Sequence, residues 1–134
     1  MLKKQDIKFL IVHCSDTGDN NDIDASVIHK MHLDFGWDGI GYHKLILRNG
    51  IIENGRPEFW KGAHAYKYND KSVGVCLIGK NKFTLKQQES LKKVLICWKK
   101  KYPFSKIIGH SDLPNTNKTC PNFDIKKWLI NNNI

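Results

Sequence analysis

Acidic side chains, long apolar runs and closely paired cysteines are all scarce in this 134-residue chain. Thirteen Asp and Glu stand against 22 Lys and Arg, leaving a formal net charge of +9. Such a surface suits a polyanionic partner, but charge alone does not choose among nucleic acid, anionic lipid and cell-wall polymer. The apolar stretch Ile7–Val12 falls far short of the roughly 20 residues that a helix needs to cross a bilayer, so no membrane span is expected. Cys14, Cys76, Cys97 and Cys120 never form a CxxC pair, which excludes the commonest zinc-knuckle and redox spacings. Free thiols in a reducing compartment are the expectation, with two disulfides as the alternative. Low-complexity tracts, repeats and linkers are absent, and 40% of the residues are hydrophobic, which argues against wholesale disorder. The length suits one domain over residues 1–134 and excludes a doubly wound sheet with a partner lobe. Met1–Asp6 is short and polar and does not open a usual signal peptide, so synthesis in the cytoplasm without one is expected.

What is present alternates between two periodicities. Ile7–His13 reads as a strand with apolar residues on both faces, Ile7, Phe9, Ile11 and His13 on one and Lys8, Leu10, Val12 and Cys14 on the other. Asp24 to Phe35 reads as a helix capped by Asp24 and stopped by Gly36, with Val27, Ile28, Met31 and Phe35 as its apolar stripe. His29 and His32 flank that stripe as solvent or packing residues rather than ligands. His43–Arg48 and Ile51–Glu53 read as strands joined by a type I′ turn at Asn49-Gly50. Val73–Ile78 is a buried strand, and Thr84 with Gln87 forms a capping box for a helix reaching Lys101, where Pro103 stops it. Residues 80–106 hold nine lysines and one acid, which is most simply a solvated face. Lys106–Gly109 reads as a short strand and Asp124–Asn131 as a last helix. The expected fold is therefore α/β, a mixed central sheet of about five strands flanked by helices.

Two of those strands end in histidine, His13 and His110, and Cys120 follows the second after a loop. Two imidazoles and a thiolate suit zinc and leave a fourth tetrahedral position open, although ligands so distant in sequence are weak evidence by spacing alone. Cys76 and Cys97 sit in apolar patterns and read as core thiols. Cys14 alternates away from His13 and should point across the sheet.

The chain resembles the zinc-dependent N-acetylmuramoyl-L-alanine amidases of the phage lysozyme and peptidoglycan-recognition-protein type. Five stretches carry the resemblance. They are Ile11-Val12-His13-Cys14-Ser15; Gly36-Trp37 with Gly39-Ile40-Gly41-Tyr42-His43; Gly62-Ala63-His64-Ala65 with Tyr68-Asn69; Ser72 through Gly79; and Gly109-His110 leading to Lys118-Thr119-Cys120-Pro121. The resemblance implies a peptidoglycan-recognition-like fold, a single zinc ion held by His13, His110 and Cys120, and Tyr42 and Lys118 as catalytic residues. Bacterial peptidoglycan or its muropeptides would be the partner, with no specific nucleic acid, and a monomer is favoured. His64 falls where a histidine lines the substrate groove, and Trp37, Trp60 and Tyr66 are candidates for stacking on sugar or peptide. His43 should pack or orient a loop. Asp16 and Asp112 are candidates for fixing the tautomers of the zinc-bound imidazoles.

The chemistry agrees with these implied roles. An amide is a poor electrophile, which calls for a Lewis acid. Lys118 supplies a compact positive charge suited to a developing oxyanion, and its field could also lower the effective pKa of Tyr42. The expected reaction is hydrolysis of the amide between N-acetylmuramic acid and L-alanine, on the cell wall after lysis or specialised export. A noncatalytic peptidoglycan-binding or regulatory protein is the alternative, and a basic nucleic-acid-binding protein a weaker one.

Overall fold

The first strand is apolar on both faces because both faces are covered. In a computed structural model that describes residues 1–20 and 22–134, Phe9–Cys14 forms β1. The elements that follow are α1 (Ala25–Asp34), β2 (Lys44–Ile46), β3 (Ile52–Asn54), β4 (Ser72–Leu77), α2 (Leu85–Lys101), β5 (Lys106–Gly109) and α3 (Ile125–Asn131). The sheet order is β3-β2-β4-β1-β5. All neighbouring pairs are parallel except the β2–β3 hairpin, so the sheet is mixed and five-stranded, as expected.

One face of the sheet packs Leu10, Val12, Val73, Val75 and Leu77 against Leu91, Leu95 and Trp98 of α2 and Ile125 and Trp128 of α3. The other packs Leu45 and Cys76 against Ile28 of α1, with a neighbouring cluster of Ile11, Ala65, Ile108 and Leu113. The lysines of α2 therefore lie on the far side of the sheet from His13, and most are exposed.

Strand register does the decisive work for the site. His13 pairs with Cys76 at the C-terminal end of β1, and Val12 pairs with Gly109, the last residue of β5. One step further along these parallel strands brings His13 beside His110. The C-terminal edge of parallel strands is where α/β sheets generally hold ligands.

The caps form where local chemistry puts them. Asp24 accepts from the Val27 amide at 3.1 Å and Asp124 from the Lys127 amide at 3.2 Å. Thr84 and Gln87 close their reciprocal box at 3.1 and 3.0 Å. Gln87 does more than cap. Fully buried, it accepts from Arg48 Nη1 at 3.1 Å and donates to the carbonyls of Ile46 and Ile78 at 3.2 and 2.8 Å, tying α2 to the ends of β2 and β4. Gln87→Ala is expected to lower unfolding stability by about 2–3 kcal/mol, because a cap and several buried hydrogen bonds are lost together. A urea midpoint within experimental error of the wild type would contradict this.

Several local expectations need correction. The β2–β3 turn is not type I′, since Gly50 has φ +88° and Asn49 is not in the positive-φ region. Instead the Gly50 amide donates to the Leu47 carbonyl at 2.8 Å, and Asn49 Oδ1 accepts from the Ile51 amide at 3.0 Å. This is a type I turn followed by a left-handed glycine. On α1 the buried residues are Ile28 and His32, while Val27 and Phe35 are exposed. Cys97 is exposed on α2 rather than in the core, whereas Cys76 is fully buried.

Candidate metal centre

His13 is carried by β1 and is only 1% exposed. His110 follows β5 directly, in a short turn capped by Asp112, whose carboxylate accepts from the Gly109 amide at 2.8 Å. The chain then loops out and returns, and the Cys120 carbonyl accepts from the Ser111 amide at 2.9 Å, which pins the end of the loop to that turn. One donor atom from each of His13, His110 and Cys120 lies within 4.8 Å of the others. Cys120 Sγ is 3.4 Å from His110 Nδ1, and the His13 and His110 rings are 4.5 Å apart.

The donor set fits a metal ion. A hydrogen bond from the Cys14 thiol, and then one from His110, pull the Cys120 thiol far below its ordinary range, which favours the thiolate that a metal needs. The same contact, with burial, pushes Cys14 upward. Burial holds His13 below its usual value, which keeps a neutral imidazole for coordination. Cys14 is the first correction here. Its side chain meets Cys120 instead of pointing clear of the site, because the segment 120–122 crosses the end of β1. Asn122 fixes that crossing, donating to Cys14 Sγ at 3.6 Å and to the Lys80 carbonyl at 2.7 Å.

The cluster opens into a cavity of about 340 Å³ whose walls include Trp37, Tyr42, His64 and Lys118. Tyr42 is half-buried, its ring 5.2 Å from that of His13. Burial, followed by the neighbouring thiols of Cys76 and Cys120, raises its pKa well above the ordinary phenol value. That direction favours the protonated phenol at Tyr42. Lys118 is exposed at the rim. Trp37 is 42% exposed and meets His32 edge-on at 4.5 Å. Trp60 lines a separate groove with Arg56, and Tyr66, 75% exposed, is not part of the cavity wall, so neither joins the other candidates.

Two contributors, His29 and His32, were not legible as site residues. His29 Nδ1 accepts from the Ile40 amide at 3.0 Å and His32 Nδ1 from the Gly41 amide at 2.9 Å, bracing the approach to Tyr42 from α1. His43 spans from the Gly74 amide, 3.0 Å, to the Trp60 carbonyl, 2.8 Å, and so orients loops as expected. His64 is buried, with Nδ1 2.8 Å from His13 Nε2 and Nε2 3.3 Å from Ser72 Oγ. It lines the cavity, as expected of a groove residue, and both of its ring nitrogens also have partners inside the protein. Neither Asp16 nor Asp112 supplies the partner of His13.

Two imidazoles and a thiolate at the open edge of a mixed sheet form a site able to hold a metal ion, as in metal-dependent hydrolases. The family described as Amidase_2, N-acetylmuramoyl-L-alanine amidase, matches residues 3–123, and the chain belongs to it. The endolysin of Enterobacteria phage T3 is 38% identical over 133 residues, covering 93% of this chain and 87% of that one. Among solved structures, the N-acetylmuramoyl-L-alanine amidase LysC from Clostridium intestinale superimposes with a TM-score of 0.85 at 27% identity, covering 100% of this chain and 91% of that one. Drosophila PGRP-LB does so with a TM-score of 0.72 at 29–31% identity, covering 86% of this chain and 74–75% of that one. The protein is accordingly an amidase that hydrolyses an amide bond of peptidoglycan.

Proposed function

We propose that the metal is zinc, held by His13, His110 and Cys120, and that the bond cleaved joins the lactyl group of N-acetylmuramic acid to L-alanine. The observation that carries this reading is the convergence of those three donors, within 4.8 Å, on a cavity that Tyr42 and Lys118 also line. Zinc supplies Lewis acidity toward the amide carbonyl and acidifies water. A mixed nitrogen and sulfur donor set favours it over magnesium or calcium, which prefer oxygen.

The protein's own groups divide the remaining work. The Lys118 ammonium faces negative charge that develops on the carbonyl oxygen. Tyr42 offers a hydrogen-bond donor on the cavity wall, and Trp37 offers an apolar ring to the glycan or stem peptide. A monomer that is made in the cytoplasm and meets the wall after lysis or specialised export fits this role.

The test is digestion of defined muropeptides by the purified chain with product masses read directly. Release of the stem peptide with a new L-alanine amine, no new sugar reducing ends, loss of activity with chelator and recovery with zinc are expected. Tight wall binding without cleavage in the zinc-loaded protein would return the binding-protein alternative. Tyr42→Phe is expected to cut kcat by about 10–100-fold with zinc retained, in the range of general acid–base and hydrogen-bond losses. Turnover equal to the wild type would remove Tyr42 from the reaction.

A further inference from the structure

The geometry points to His64 as a positioning residue: with Ser72 behind it, its ring holds His13 in the one tautomer that turns Nδ1 toward the metal. This rests on the metal-centre reading above.

The direction of the relay follows from its far end. The Tyr68 carbonyl can only accept, and the Ser72 hydroxyl donates to it at 2.7 Å. With its proton committed there, Ser72 Oγ accepts from His64 Nε2–H at 3.3 Å. In the neutral ring His64 Nδ1 then carries a lone pair, and it accepts from His13 Nε2–H at 2.8 Å. His13 is left with Nδ1 unprotonated, and Nδ1 is the nitrogen free to join His110 and Cys120. Metal-bound histidines commonly have their other ring nitrogen fixed in this way, by a carboxylate, a carbonyl or water. Here a second histidine takes that place, and a backbone carbonyl two steps away sets the polarity.

The surrounding segment is built to hold that ring. A methyl group on Gly74 would lie 2.5 Å from His64 Nδ1, and one on Gly62 2.5 Å from His64 Cδ2. Neither glycine has a positive φ, so what these positions need is space. Gly74 sits on β4 two residues before Cys76, the partner of His13, and so shares the site face. Asn69 Oδ1 accepts from the amides of both His64 and Ala65 at 2.9 Å, which locks the backbone under the ring. Gly62, His64, Asn69, Ser72 and Gly74 thus act as one holder for the partner of His13.

The experiment combines zinc affinity, from competition with a chromophoric chelator, with the long-range nitrogen–proton NMR pattern of the histidines in the full chain. In the zinc-loaded wild type, His13 is expected to carry its proton on Nε2 and bind through Nδ1. His64→Phe, which fills the slot but accepts nothing, is expected to weaken zinc binding about 10–100-fold. His64→Asn, whose carbonyl can stand where Nδ1 stood, should recover affinity to within a few-fold of the wild type. Ser72→Ala, a small change that keeps the fold, should weaken zinc binding and mix the His64 tautomers. Zinc affinity of both His64→Phe and Ser72→Ala within twofold of the wild type, or His13 bound through Nε2, would overturn the relay. A wild-type chain that binds no zinc would instead overturn the metal-centre reading on which the relay stands.

Discussion

Cys120→Ser is expected to strip the protein of its metal and nearly abolish hydrolysis. The change is one atom, but it exchanges a group that readily becomes an anion for an alcohol that is not one at neutral pH. In the native site the Cys14 thiol and His110 direct hydrogen-bond donors at Cys120 Sγ, so negative charge there is favoured before any metal arrives. A serine hydroxyl in that place leaves two neutral imidazoles as the ligand set, and Cys14 loses the acceptor that its thiol uses. Zinc affinity should fall by more than the roughly 10–100-fold that follows loss of an outer partner. Turnover should fall by about a thousandfold or more, since the Lewis acid goes with the metal. The measurement is metal content after dialysis alongside turnover on a defined muropeptide. A Cys120→Ser protein that keeps its zinc and works within tenfold of the wild type would show that the sulfur is not a ligand. The companion change Cys14→Ser, which leaves Sγ of Cys120 in place, is expected to retain zinc.

How far these features could be read from the chain depends on how local their causes are. The caps at Asp24 and Thr84 were legible because a cap is a contact over three residues, and both form. Strand β5 was legible to the residue, since Pro103 and the turn after it leave little freedom for its start. His13 and His110 could be seen as strand-end residues, but their adjacency is a matter of parallel register between β1 and β5, which are separated by most of the chain. The resemblance bridged that distance where spacing could not. Alternation put Cys14 on the correct face of β1 but missed its contact with Cys120, because the rule covers a strand and not a loop crossing the strand's end. His64 was legible as a site residue, but its hydrogen-bond partners were not. Its two partners and the two glycines that make room for it lie on separate segments, and only the fold shows that its nitrogens are already taken. Trp60 and Tyr66 illustrate the opposite error: aromatic character near a motif says nothing about which groove the ring enters.

Lys118→Ala separates chemistry from metal binding. Lys118 contributes no donor to the cluster, so the variant should hold zinc as tightly as the wild type. What it removes is a positive charge on the cavity wall, two residues before a ligand whose backbone is tied to the turn at Ser111. Removal of an oxyanion donor from an enclosed site costs about 10²–10³ in kcat. Lys118 is exposed at the rim, where water screens its field, so the expected loss lies at the lower end, near a hundredfold. Lys118→Arg should recover only part of it, because a planar guanidinium spreads the charge that an ammonium concentrates. The division between kcat and KM decides the role. A fall in kcat with KM little changed assigns Lys118 to the transition state, whereas a raised KM with kcat intact makes it an anchor that binds substrate and transition state alike. Unchanged kcat and KM would take Lys118 out of the reaction altogether and leave the developing charge to the metal centre and Tyr42.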